Sequence, residues 1–220
     1  IDPKKLLSRL GIFFIGLPAL LTVALLPYAN HLALHILIMA VSVVAANEAY
    51  NMFSAKTPLM PRLLVLLLVF AVTSAASLYE LFPVLFKKTF PVGEEIISYT
   101  FISAVLIVLF AEVFFSKTFE NSLTKLASSV FILMYAGYLI TFVSRMTTFS
   151  KDGKDVSPQL IAVFILMVCF CDSFAWLFGV LFGKNNRGFV KASPNKSVAG
   201  FLGGIIGSVI AGIAGYFAWP

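Results

Sequence analysis

The sequence predicts an all-α, polytopic integral membrane protein with about seven transmembrane helices. Three observations carry that prediction. Of the 220 residues, 60% are hydrophobic and 12% are charged, against about 25% charged in soluble domains. Mean hydropathy is +0.98, more apolar surface than a soluble core can use. The apolar residues come in long runs separated by short polar segments, and a helix needs about 20 apolar residues to cross a bilayer core. The net charge of +6 reads as positive loops at anionic headgroups, so no nucleic-acid partner is expected.

The elements follow in order. Ile1-Asp2-Pro3 lacks an initiator Met and reads as a trimmed start. Lys4, Lys5 and Arg9 precede an apolar run from Leu10 to about Leu26. A secretory signal has a similar profile, but this run is long enough to span and no convincing cleavage site follows. It is assigned as the first span, 10–28, followed by 32–53, 62–82, 97–115, 126–144, 159–182 and 201–219. Pro61, Pro83, Pro91 and Pro158 fall at span edges, where helices break. Arg145 to Pro158, with Lys151, Asp152, Gly153, Lys154 and Asp155, reads as a solvated loop. With no soluble domain, low-complexity segment or convincing repeat, residues 1–220 are read as a single transmembrane domain.

Cations set the expected orientation. Lys4, Lys5, Arg9, Lys56, Arg62, Lys117, Lys125, Lys184, Arg187, Lys191 and Lys196 fall on the N-terminal side of the seven spans; Lys87, Lys88, Arg145, Lys151 and Lys154 fall on the other. Eleven against five places the N-terminus and the 183–200 loop in the cytoplasm, of a bacterial inner (plasma) membrane. In that topology Glu48, Glu112 and Asp172 each sit in the inner part of a span. An acid at membrane depth faces protein or water and is a functional candidate. For Glu112, beside Ser116 and Lys117, an ordinary interfacial position is favoured. Glu48 is evenly balanced between the two readings, and for Asp172 the functional reading leads.

Chemistry concentrates between Cys171 and Gly204. Asp172 stands alone in an apolar run, and after it comes a polar loop with Lys184, Arg187, Lys191 and Lys196 and no acid. Four cations suit a phosphate-rich substrate, with the acid placed to hold a metal among the phosphates. Ser193, Pro194, Lys196 and Ser197 read as the start of the last helix, where free N–H groups and hydroxyls would cradle phosphate; a plain helix cap is the alternative. Asp172, Ala175 or Trp176, and Gly179 share a helical face. Gly179 and Gly183 form a G-x-x-x-G pair, and the last span carries two small-residue stripes, 203/207/211/215 and 200/204/208/212, all read as packing surfaces. The segment around Lys184 is one residue short of a P-loop and has no preceding strand. Cys169 and Cys171 read as small buried hydrophobes, and His31 and His35 as interfacial residues rather than metal ligands.

The pattern Asp172-Ser173-x-Ala175, Gly179, Phe182-Gly183-Lys184, then Ser193-Pro194-x-Lys196-Ser197, Gly200 and Gly203-Gly204 resembles the phosphatidate cytidylyltransferases, or CDP-diacylglycerol synthases. Arg9 and the Asn47-Glu48 pair add a weaker N-terminal likeness. Two positions depart: Asn195 stands where the family usually has Lys, and Ala199 where it has Glu. The family's C-terminal block, with Lys-Arg, Lys-Asp, Gly-His-Gly-Gly and a closing pair of Asp residues, is not in this sequence. Residues 1–220 are therefore expected to be incomplete at the C-terminal side and catalytically poor by themselves. The resemblance implies transfer of CMP from CTP to phosphatidate, giving CDP-diacylglycerol and pyrophosphate, with Mg²⁺ as cofactor and membrane lipids as partners; a homodimer is left open. It implies Asp172 and Lys196 as catalytic, with Asp172, and Glu48 as a second candidate, on the metal. Lys184, Arg187, Ser193, Asn195 and Ser197 would bind substrate. The alternatives are a non-enzymatic transporter or channel with a polar pathway at Asp172 and Glu48, or a related CTP-dependent polyprenol kinase.

Overall fold

A computed structural model describes residues 11–191 and 193–219. Lys4, Lys5, Arg9 and the expected start of the first span at Leu10 lie outside the described residues. In chain order a π-helical turn, Ile12–Gly16, leads into α1 (Leu17–Leu25), then α2 (Leu32–Ser54), α3 (Arg62–Phe86) and α4 (Glu95–Phe115). Next come α5 (Ser122–Ile132), a π-helical segment Leu133–Tyr138, α6 (Thr141–Arg145) and a 3-10 turn Met146–Thr148. A small hairpin, β1 (Ser150–Lys151) and β2 (Lys154–Asp155), precedes α7 (Ser157–Phe182) and α8 (Val198–Ala218). Six helical stretches among the described residues are long and apolar enough to cross a membrane, the run from Ser122 to Thr148 counting as one; Phe14–Leu25 is a shorter apolar helix. The protein is thus nearly all-α and fits an integral membrane protein.

The described residues form two compact units, 27–149 and 11–26 together with those from 150 to 219. In the 27–149 unit, α2, α3, α4 and the α5–α6 run surround a core of Ala46, Val65, Val69, Val72, Val108 and Leu133 with their neighbours. Polar pins fix its elements: Ser42 Oγ donates to Thr73 Oγ1 at 3.2 Å, Tyr50 Oη to Met60 O at 2.9 Å, and Met60 N to Ser129 Oγ at 3.0 Å. Asn47 Oδ1 accepts from Arg62 Nε at 2.9 Å and also from Arg62 Nη2. The first three satisfy polar groups that would be costly to leave unpaired away from water; the Asn47–Arg62 pair is exposed.

Proline explains where two expected boundaries hold or fail. Leu26 leaves the helical region (φ −79°, ψ 103°) because the residue before a proline, here Pro27, is pushed out of it; the first helix therefore stops short of the expected residue 28. Pro83, expected at a span edge, lies inside α3. Its missing N–H costs one backbone bond near the end of the helix, and only one further turn follows before Lys87 enters the left-handed region (φ 52°). The segment expected to be an open loop, 145–158, contains the β1–β2 hairpin. Asp152 and Gly153 both have positive φ (52° and 74°), the signature of a tight two-residue hairpin turn that Asp-Gly favours. Asp155 Oδ1 then accepts from Ser157 N at 2.9 Å, capping α7.

Both histidines, expected at an interface, are buried. His35 Nε2 lies 3.4 Å from Thr147 Oγ1, so the end of the α5–α6 run covers the start of α2.

Candidate functional site

The unit holding α7 and α8 is built on glycine. Gly200, Gly203, Gly204, Gly207, Ala211 and Gly215 form the buried face of α8. Gly203 and Gly207 meet Phe170, Phe174 and Phe178 of α7, rings that, with the exposed Phe182, follow one another at centroid spacings of 5.8, 6.1 and 5.6 Å. A Cβ on Gly203 would lie 2.5 Å from Phe178 Cβ, and one on Gly207 would lie 2.6 Å from Phe170 O. The helices approach to where only hydrogen fits, as small residues permit in membrane helix pairs. Both expected small stripes contribute: on the second, Gly200 and Gly204 face α7, and Ser208 Oγ donates to Met167 O at 3.3 Å. Cys171 packs on Gly204, and both cysteines are free and half-buried.

The α7–α8 loop is folded rather than open. Gly183 N–H donates to Gly179 O (3.1 Å), closing α7. Gly188 N–H donates to Lys196 O and Val198 N–H to Asn186 O, both at 3.1 Å. Those bonds flank Arg187 and Ser197, which form an antiparallel bridge of the non-hydrogen-bonded kind, about 4.5 Å between Cα atoms. Gly188 adopts φ 82°, where an absent Cβ is an advantage. Ser193 to Lys196 is a turn closed by Lys196 N–H on Ser193 O (3.0 Å), with Pro194 at the second position that its fixed φ suits. Pro194 thus shapes this turn; α8 starts only at Val198.

Ser197 locks loop to helices. It is the N-cap of α8, its Oγ accepting from Gly200 N at 3.0 Å, and it is 5% exposed. That Oγ sits 2.6 Å from where a Gly183 Cβ would be and 3.4 Å from a Gly179 Cβ. The G-x-x-x-G pair of α7 therefore receives the cap of α8. With Val198 N–H on Asn186 O and Gly200 N–H on Ser197 Oγ, the first turn of α8 does not present the row of free N–H groups expected from sequence. What remains for an anion is side-chain charge. Lys184, Arg187, Lys191 and Lys196 are all exposed, and no acid follows Asp172 anywhere in the sequence. The ion pairs of the described residues, Lys125–Glu112 and Arg145–Glu94, involve none of the four. Asn195 is exposed at the tip of the turn and Ser193 is half-buried beside it.

Asp172 is not in contact with that loop. Eleven residues before Gly183 on a continuous helix, it lies about 16 Å down the axis at 1.5 Å per residue. Ala175 and Gly179, expected to share its face, turn into α8, while Asp172 is exposed on the flank of the seam. Glu48 is exposed on α2 in the 27–149 unit. Glu112, expected to be interfacial, is instead buried in an ion pair: Oε2 is 2.5 Å from Lys125 Nζ, and Oε1 accepts from Ser122 Oγ at 2.5 Å. It joins α4 to α5. One further acid passed unremarked in the sequence. Glu80, within the third apolar run, is buried, and the rule that singled out Asp172 applies to it equally.

The described residues contain no group of three His, Cys, Asp or Glu able to hold a metal. Asp172 offers one hard carboxylate, which suits an ion that keeps several waters and takes its other ligands from substrate phosphates, as Mg²⁺ does.

The chain is 34% identical over 102 residues to the phosphatidate cytidylyltransferase of Aquifex aeolicus (strain VF5). That stretch covers 46% of this chain and 35% of that protein, so the chain spans about a third of the length of that relative. No solved structure matches. The cytidylyltransferase family matches residues 8–220, which takes in the glycine-packed helix pair, the cationic loop between them and the whole 27–149 unit. On that match, the chain belongs to the cytidylyltransferase family.

Proposed function

We propose that the protein is a nucleotidyltransferase of phospholipid synthesis that transfers CMP from CTP to phosphatidate. The observation that carries this reading is the acid-free loop of four exposed cations, held in a defined shape by Ser197 and the glycines of α7 and α8. In the reaction an oxygen of the phosphatidate phosphate attacks the α-phosphorus of CTP. The bond from that phosphorus to the bridging oxygen breaks, pyrophosphate leaves, and CDP-diacylglycerol remains. Little covalent help is needed, so positioning and charge neutralisation dominate. Lys196 neutralises charge on the transferring phosphate, Lys184 and Arg187 attract the triphosphate, and Ser193 and Asn195 offer hydrogen bonds at the turn. Ser197 acts by fixing the turn, because its hydroxyl is held in the helix cap.

Asp172 would hold Mg²⁺, whose charge would offset that of phosphates reaching it from the loop. The cation distribution favours a cytoplasmic loop, where CTP is available, in a bacterial inner membrane.

The test is transfer of label from CTP to lipid by the purified full-length protein. Label from the α-phosphate entering lipid with phosphatidate as acceptor supports the proposal. Label from the γ-phosphate entering a polyprenol instead would mark a lipid kinase. Transfer to neither acceptor would favour a polar pathway through the membrane.

A further inference from the structure

The 27–149 unit has two neighbouring clefts at the end where α2 starts and α3 finishes. One, about 440 Å³, is lined by Asn30, Tyr79, Glu80, Phe90 and Thr148 among others. The other, about 680 Å³, shares Tyr79, Glu80 and Thr148 and adds Glu94, Arg145 and Phe149. Glu80 belongs to both and is only 7% exposed. Its carboxylate makes no hydrogen bond or ion pair among the described residues; Asn30 Nδ2 donates to its backbone O instead, at 3.1 Å.

The cation on the wall is already engaged. Arg145 Nε is 3.1 Å from Glu94 Oε1, and its guanidinium lies 5.0 Å from the centre of the Phe142 ring. Glu80 and Glu94 therefore set two carboxyl groups against one guanidinium at the clefts. Lys87 and Lys88 follow α3 but do not line either cleft. A buried, unpaired carboxylate at the end of an apolar helix is costly without a partner. The rest of the wall is aromatic: Tyr79 and Phe90 meet edge to face at 5.8 Å, and Phe82 backs Phe90 at 5.0 Å. One excess carboxylate among rings is the chemistry that holds an organic ammonium ion.

We propose that this cleft binds an organic ammonium group, with the Glu80 carboxylate as its counter-ion and the Tyr79 and Phe90 rings as its wall. Val84, Val92 and Phe149, exposed at the cleft, continue the apolar surface of the spans. An amine-bearing lipid headgroup is therefore one source of the ligand and a free amine the other. The site lies wholly in the 27–149 unit and does not rest on the cytidylyl-transfer reading, so either can fail alone.

The test titrates the full chain in detergent with dihexanoyl-phosphatidylethanolamine, dihexanoyl-phosphatidylglycerol and ethanolamine, and repeats the series on Glu80→Gln. The expected result is that the ethanolamine lipid binds roughly tenfold or more tightly than the glycerol lipid, a difference of about 1.4 kcal/mol, and that Glu80→Gln removes the preference. Ethanolamine competing as well as the lipid would support the site and identify a free amine as its source; weak competition would support it and identify the headgroup. Equal affinity of the wild type for the two lipids would overturn the proposal, as would a folded Glu80→Gln protein that keeps the preference. If Glu80→Gln does not fold, the wild-type comparison decides.

Discussion

Gly203→Ala places one methyl group where the α7–α8 seam has no room for it. The new Cβ would lie 2.5 Å from Phe178 Cβ, 2.7 Å from Phe178 Cγ and 2.8 Å from Phe174 O. Carbon contacts are comfortable at about 3.5–4.0 Å, so the helices must part by about 1 Å. The obstacles are a ring stem and a backbone carbonyl, and neither moves aside by changing rotamer. Overpacking a tight core costs about 1–3 kcal/mol, and a backbone obstacle belongs at the upper end, about 3 kcal/mol. Gly212→Ala is the matched control on the same helix. Its Cβ would meet only the flexible end of Met167, at 3.7 Å, and replacing Gly by Ala favours a helix by about 0.8–1 kcal/mol. Gly203→Ala gains the same helix preference, so the two substitutions should differ by the overpacking cost, about 3 kcal/mol. The assay is reversible unfolding in mixed micelles, followed by fluorescence of Trp176 in α7 and Trp219 just after α8. Unfolding free energies within ~0.5 kcal/mol of each other, the usual error of such comparisons, would refute the close-packed seam.

Other outcomes follow from the same geometry. Asp172→Asn in the full-length protein should lower the rate of CMP transfer by ~10²-fold or more, the scale of losing one charge-stabilising group, while leaving the melting temperature unchanged or raised, because the acid makes no ion pair among the described residues; near-normal turnover would remove it from the metal site. Lys196→Ala should lower kcat/KM for CTP about tenfold, ~1.4 kcal/mol, and an unchanged value would exclude it from the phosphate site. Glu112→Ala should destabilise by about 3 kcal/mol, the lower end for breaking a buried ion pair, because Lys125 keeps 24% side-chain exposure. Adding Lys125→Met should recover part of that loss, and strict additivity of the two would argue against their pairing. Finally, a lone cysteine at the exposed Asn185, with Cys169 and Cys171 replaced, should resist impermeant maleimide in intact cells and react after permeabilisation. Ready labelling from outside would reverse the proposed orientation.

Class and span positions were legible in the sequence because membrane insertion is a one-dimensional constraint. A run of about 20 apolar residues must become a helix wherever it sits, since lipid offers its backbone no other partners. The small-residue stripe of α8 was legible for a related reason: its repeat fixes one face, and glycine on one face of an apolar helix means close approach. The cationic, acid-free loop could be counted directly. By contrast, Pro83 looked like a boundary and lies inside α3, because a helix that loses one bond near its end still gains from continuing. Tertiary structure decided everything that depends on which surfaces meet. Ser197 looked available to phosphate, yet its hydroxyl is the cap of α8 and fills the space left by Gly179 and Gly183. Ala175 and Gly179 looked like company for Asp172, but they turn into α8 and leave the acid on the flank. Glu112 and Lys125, 13 positions apart in the chain, close into a pair between α4 and α5, while Glu80 keeps a buried carboxylate beside a cation that Glu94 already occupies. Sequence determined which residues are costly to bury; only the packing of the helices decided which of them found a partner, because pairing is settled by distances of a few ångströms that no one-dimensional pattern contains.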